Sequence, residues 1–126
     1  MNDLIVIQVT PSEVVDKLTI LDIKIDRIKD AKKRDEAVAA RLALKQTVDP
    51  IEAWITGRMK ELADLLRKCN ESIWDAEDTL RRPGISIDEK LGACDSARMN
   101  NDLRARIKRE IDAYLGAPFS EVKSHG

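Results

Sequence analysis

The sequence predicts a mainly α fold: an antiparallel bundle of long, coiled-coil-like helices with a short N-terminal β-strand. Three observations carry this. Charged residues make up 36% of the 126 and aromatics 3%, a composition suited to helices laced with ion pairs and poor for a β-sandwich. From Ile55 to Leu80 apolar residues recur at alternating steps of four and three, the spacing of a helical seam. Capping signatures open three of the segments, at Thr10, Asp49 and Ser86. One domain of this length can bury a core without metal or disulfide staples.

Taken in order, LIVIQV at 4–9 is rich in β-branched residues and reads as a strand. A lone strand leaves its backbone groups unpaired, so it needs a mate. Either FSEVK in the tail at 117–126 supplies one, or the same strand of a second copy does, which would make a two-fold homodimer. Helix 1 is placed at 11–29, with Thr10 as N-cap, Pro11 at N1 and Glu13 at N3. Val14, Leu18, Leu21, Ile25 and Ile28 draw one apolar stripe down it, read as a core seam. The stretch KDAKKRDE holds no Gly or Pro, so helix 1 could run on to Lys45 or Asp30 could cap a second helix; the break is preferred, with helix 2 at 31–46.

DPIE repeats the proline device with Asp49, Pro50 and Glu52, placing helix 3 at 50–82 before RRPG ends it. Its seam is Ile55, Met59, Leu62, Leu66, Cys69, Ile73, Ala76 and Leu80, and Gly57 weakens the first turns by roughly 1 kcal/mol. Ser86 with Glu89 forms a further capping box and opens helix 4 at 87–115, stopped by Gly116 and Pro118. Leu103, Ile107, Ile111 and Tyr114 mark its apolar face, while Arg98, Asp102, Arg106 and Glu110, and Lys108 with Asp112, stand at i,i+4 spacing and read mostly as solvated pairs.

Lys and Arg number 22 against 23 acids, a formal charge of -1, so no basic field points to nucleic acid as a partner. Cys69 and Cys94 fall on helix seams without C-x-x-C spacing and read as small buried hydrophobes, which fits a reducing cytoplasm. The start MNDLIVIQVT has no basic n-region and too short an apolar run for a signal peptide or a membrane span, so a soluble, cytoplasmic protein with no membrane partner is expected. Trp54 and Trp74 both lie off the helix 3 seam. Either the helix is contacted on more than one side, in the bundle or by another subunit, or an indole forms a ligand platform.

The segments PSEVVDKLTILDIKIDRIKD, NESIWDAEDTLR, NNDLRARIKREIDAYLG and EVKSH resemble an uncharacterised family of small helical proteins from bacteria and their phages. That family carries Ser-x-Gly-Glu followed by Asp-Lys-x-Thr-Ile-Leu-x-Ile-Lys, then Asn-x-x-Leu-Trp-x-x-Glu-Asp, then Asn-Asp-x-Arg-Ala-x-Ile-Lys and a Glu-Lys-Ser end. The resemblance brings no activity with it. It singles out Glu13, Asp16, Lys17 and Lys24 on helix 1; Asn70, Trp74, Glu77, Asp78 and Arg81 on helix 3; and Asn101, Asp102, Arg104 and Lys108 on helix 4. The chain departs from the pattern at Ser12, where the family has Gly, at Asp112, where it has Asn, and at His125, where it has an aromatic.

Antiparallel packing could bring these polar residues together either as interhelical ion pairs or as a site. The candidate ligand-binding set is Lys17, Lys24, Trp74, Asp78, Arg81, Asn101, Asp102 and Arg104, suited to a nucleotide or anionic metabolite held between helices 1, 3 and 4. No catalytic residue, cofactor or metal is assigned. His125 is the sole histidine, no G-x-S-x-G or phosphate loop is present, and Asp75 with Asp78 lacks the second acidic pair that a Mg²⁺-dependent helical pyrophosphohydrolase would need. A pericyclic mutase would need cations around a dicarboxylate, which Lys17, Lys24, Arg81 and Arg104 could supply without matching such a motif closely.

Overall fold

A computed structural model describes residues 4–50, 54 and 56–117. It has four α-helices: α1 Pro11–Arg27, α2 Ala31–Val48, α3 Gly57–Arg81 and α4 Ile87–Tyr114. No strand occurs among the described residues. The strand expected at 4–9 is therefore corrected: that stretch makes no ladder, since no described segment offers an edge to pair with. The proposed mate FSEVK lies outside the described residues.

Local signals set most helix ends. Asp30 caps α2, its Oδ1 accepting from the backbone N–H groups of Lys32 at 2.9 Å and Lys33 at 3.4 Å. Ser86 and Glu89 form the reciprocal capping box at α4. Gly84 and Gly116 supply the positive φ at the ends of α3 and α4. Two devices work differently from expectation. Asp49 closes α2, its carboxylate taking the Lys45 ammonium at 2.8 Å, and α3 starts at Gly57 behind Thr56, whose Oγ1 accepts from Met59 N–H at 3.2 Å. The Thr10 side chain makes no cap bond; it shares a 3.1 Å hydrogen bond with Ser12 Oγ, and Glu13 turns to Lys108 instead.

Cross-helix partners give the directions. Arg58 near the start of α3 meets Glu110 near the end of α4, so these two helices run antiparallel about the turn at 82–86. Ser12 pairs with Asp112, Glu13 with Lys108 and Asp16 with Arg104, so α1 also runs against α4. Asp22 pairs with Arg41 across the α1–α2 hairpin. α3 packs most extensively on α4, and α1 touches all three of the others.

The core joins Val15 of α1, Met59, Leu62, Leu66 and Cys69 of α3, and Ile107 and Ile111 of α4. Leu62, Leu66 and Ile111 are completely buried, each contributing about 1.5–3 kcal/mol. The α3 seam is thus covered at Met59, Leu62, Leu66, Cys69 and Ala76 and half-covered at Ile73 and Leu80; Ile55 lies outside the described residues.

On α1 the expected apolar stripe is only half-buried, and the deepest face is Ser12, Val15, Asp16, Thr19 and Ile23. The reason is that α1 is clasped on two sides, and its polar residues can go inside because they are paired there. On α4 the buried face likewise includes Ala105, Lys108 and Asp112, while Leu103 and Tyr114 stay exposed, because Lys108 and Asp112 find partners on α1. Cys69 is buried as expected; Cys94 is exposed, since the first half of α4 is contacted over a narrow face around Ala93. No described helix is long and apolar enough to cross a membrane.

Candidate functional site

The helical repeat puts Arg104, Lys108 and Asp112 at steps of four on α4, and Ser12 and Asp16 at the same step on α1. Antiparallel packing then aligns the two rows. Asp112 accepts from Ser12 N–H and Ser12 Oγ, both at 2.8 Å. Lys108 Nζ donates to Glu13 Oε1 at 2.6 Å and lies 3.9 Å from Asp16 Oδ2. Arg104 embraces Asp16 in a bidentate pair, with Nε 3.1 Å from Oδ1 and Nη2 on Oδ2. From α3, Asn70 Nδ2 donates to Asp16 Oδ1 at 2.9 Å and to Thr19 Oγ1 at 2.8 Å, while Thr19 Oγ1 donates to the Asp16 carbonyl at 2.8 Å.

Asp16 is 3% exposed and therefore depends on these partners. A carboxylate taken out of water loses several kcal/mol of hydration, which the bidentate guanidinium and the amide offset. Among the described residues no buried side-chain nitrogen or oxygen lacks a partner. The network joins three helices, and a slip of one residue between α1 and α4 would leave several charges unmatched.

Beside it, an open cleft of about 240 Å³ lies between α1, α3 and α4. Ile20, Ile23 and Ile73 give it apolar walls; Asn70, Trp74, Glu77, Asp78 and Arg81 line it from α3, and Arg104 from α4. The α3 residues share a face because they recur at intervals of three and four. Trp74 is half-buried here, so the off-seam indole lines the wall of a cleft. Glu77, Asp78 and Arg81 are exposed and enter no ion pair among the described residues.

Of the candidate set, Trp74, Asp78, Arg81 and Arg104 meet on this cleft. Lys17, Lys24, Asn101 and Asp102 are not among its lining residues. Lys17 and Asp102 are exposed, Lys24 is half-buried, and Asn101 accepts from Arg104 Nη1 at 3.5 Å. Sequence reasoning missed the isoleucine walls and the central place of Asp16. The resemblance had singled out Asp16 without giving it a role, and the other signal was its four-residue step from Ser12 on a face too polar to be read as core.

A larger cavity of about 550 Å³ lies between α1, α2 and α3 beside Trp54. Its lining is mainly apolar, including Val15, Leu18, Val48 and Met59; of its rim ions Asp22 pairs with Arg41 and Asp49 with Lys45, while Lys60 enters no ion pair among the described residues. For a polar ligand the smaller cleft is the better candidate, because Glu77, Asp78 and Arg81 bring both signs of charge to it without ion-pair partners among the described residues.

Chemically, Trp74 offers a stacking face, Arg81 a forked cation, and Glu77 and Asp78 acceptors for hydroxyl or amino groups. Burial pushes the Cys69 thiol up, and Arg104 only partly counters it, so the thiol is a poor nucleophile. His125 lies outside the described residues. Among those described, no group of three or more His, Cys, Asp or Glu side chains is arranged to hold a metal ion. Comparison with family models, with curated proteins and with solved structures finds no match to this chain.

Proposed function

We propose that the protein is a binding module that takes a small polar molecule in the cleft between α1, α3 and α4. The observation that carries this reading is the convergence of Trp74, Asp78 and Arg81 with Arg104 and the α1 isoleucines on one open cleft. The Asp16–Asn70–Arg104 network behind it supports the same reading, since a cleft with a rigid polar wall need not be ordered when a ligand arrives. Arg104 is matched by Asp16, which leaves Arg81 to meet an anionic group, with Trp74 stacking on a ring. At about 240 Å³ the space suits a single-ring or sugar-sized anionic metabolite better than a whole nucleotide.

Membership of the bacterial and phage family whose motifs these residues resemble belongs to the same proposal, as does a cytoplasmic location, which the free thiols of Cys69 and Cys94 favour. A thermal-shift panel of sugar phosphates, nucleotides, carboxylates and amino acids tests it, followed by fluorescence titration in a Trp54→Phe background where Trp74 is the reporter. A saturable shift that Arg81→Ala removes supports the reading. A panel without any shift, together with a large stability loss on Arg81→Ala, would mark the cleft as a structural seam.

A further inference from the structure

The stretch preceding α1 is as apolar as a core segment and yet is uncovered. Leu4 is 93% exposed, Val6 92% and Ile7 70%, falling to 44% at Val9 where the chain joins the body. Side chains on both faces of an extended Leu4–Val9 are apolar except Gln8, so the run calls for cover on both sides. A few residues away lies the apolar groove between α1, α2 and α3, walled by Val15, Leu18, Val48 and Met59 and about 550 Å³ in volume.

The arm stands away from its own groove, with Leu4 to Ile7 all at least 70% exposed. Pro11 fixes its φ, Thr10 before it is held extended at φ -68 and ψ 152, and Thr10 is buried with its hydroxyl bonded to Ser12. From that anchor the arm leaves the body, and six extended residues reach about 20 Å.

We infer that Leu4–Val9 is an exchange arm that seats in the α1–α2–α3 groove of a second copy, reciprocally, making a two-fold dimer. The area reaches the low end of what such an interface needs. At roughly 60–120 Å² of apolar surface per aliphatic side chain, two fully covered arms withdraw about 600–1,200 Å² from water, and the groove walls add a smaller amount. A stable interface needs roughly 1,200–2,000 Å² in total. Reciprocity follows from closure, since each copy carries one arm and one groove. The inference is independent of the ligand cleft, which lies on the α4 side of α1.

Sedimentation velocity of the full chain at roughly 50 µM tests it, and a dimer is expected. Removal of residues 1–9, and separately Leu18→Arg in the groove, should each raise the dimer dissociation constant by at least about 100-fold, with helicity by circular dichroism reporting that each variant folds. Mixing the two variants should restore a heterodimer, because one contributes an intact groove and the other an intact arm. A full-length monomer, a dimer that survives arm removal, or mass that keeps growing with concentration would each overturn the proposal. So would a Leu18→Arg chain that stays dimeric, which would mean that the arms pair with one another.

Discussion

Ser12 and Asp112, a hundred residues apart in the chain, are joined by two 2.8 Å hydrogen bonds, one from the serine backbone and one from its hydroxyl. Both residues are essentially buried, at 0% and 1% exposed. The physical logic is direct: the buried Ser12 hydroxyl needs an acceptor, and the Asp112 carboxylate supplies one while the N-terminal dipole of α1 steadies its charge.

Asp112→Ala should therefore lower stability by about 2 kcal/mol, because the buried Ser12 N–H loses its acceptor and the hydroxyl is left with Thr10 alone. Ser12→Ala removes only the hydroxyl and should lose about 1 kcal/mol. Urea denaturation of both single variants and the double variant should give a coupling of at least about 0.5 kcal/mol; additive losses would contradict the pairing.

Asp16→Ala is expected to be the most damaging single change in the polar network, at about 3 kcal/mol, since it strips Arg104 and Asn70 of a shared acceptor. The partial exposure of Arg104 holds the figure toward the lower end of the range for a buried pair. Asp16→Asn should recover part of the loss, because one oxygen still accepts. Chemical denaturation with the Asp16→Ala and Asp16→Asn chains side by side checks the ordering.

Asp78→Ala and Arg81→Ala should each change stability by no more than about 0.5 kcal/mol, because both side chains are exposed and unpaired among the described residues. Trp74→Ala should lose more, about 1–2 kcal/mol, through its half-buried indole. Melting curves for the three variants separate a ligand cleft from a packing seam. A loss above about 1.5 kcal/mol at Asp78 or Arg81 would favour the seam.

The two thiols should differ sharply in reactivity. Cys94 is exposed and Cys69 is buried with its pKa raised, chiefly by desolvation, so a thiol reagent near neutral pH should label Cys94 at least about 100-fold faster in the native protein. Because folding raises this pKa, the stability it carries is complete below the unfolded value and fades as pH rises through the folded one, in the alkaline range above 9.0. Comparing the parent with Cys69→Ala at neutral and alkaline pH isolates that loss.

Periodic and local signals were readable in advance. The α3 seam from Met59 to Leu80 follows from helical spacing alone, and Asp30 and Ser86 act as caps because an N-cap needs only its own next few residues. Signals that depend on a distant partner were not. The α1 stripe of Val14, Leu18 and Leu21 is half-buried, whereas Ser12, Asp16 and Thr19 go inside, and nothing in residues 11–29 announces that Asn70 and Arg104 will meet them. Glu13 leaves its expected capping role for the same reason, drawn away by Lys108.

By itself the sequence determined the helical class, the break at Asp30, the seam of α3 and the residue types available for a polar site, all of them properties of spacing within one segment. Tertiary structure alone decided which face of α1 is buried, that Trp74 opens onto a cleft, and which acid each cation takes. An ion pair across helices depends on register and burial, and both exist only once the chain has packed.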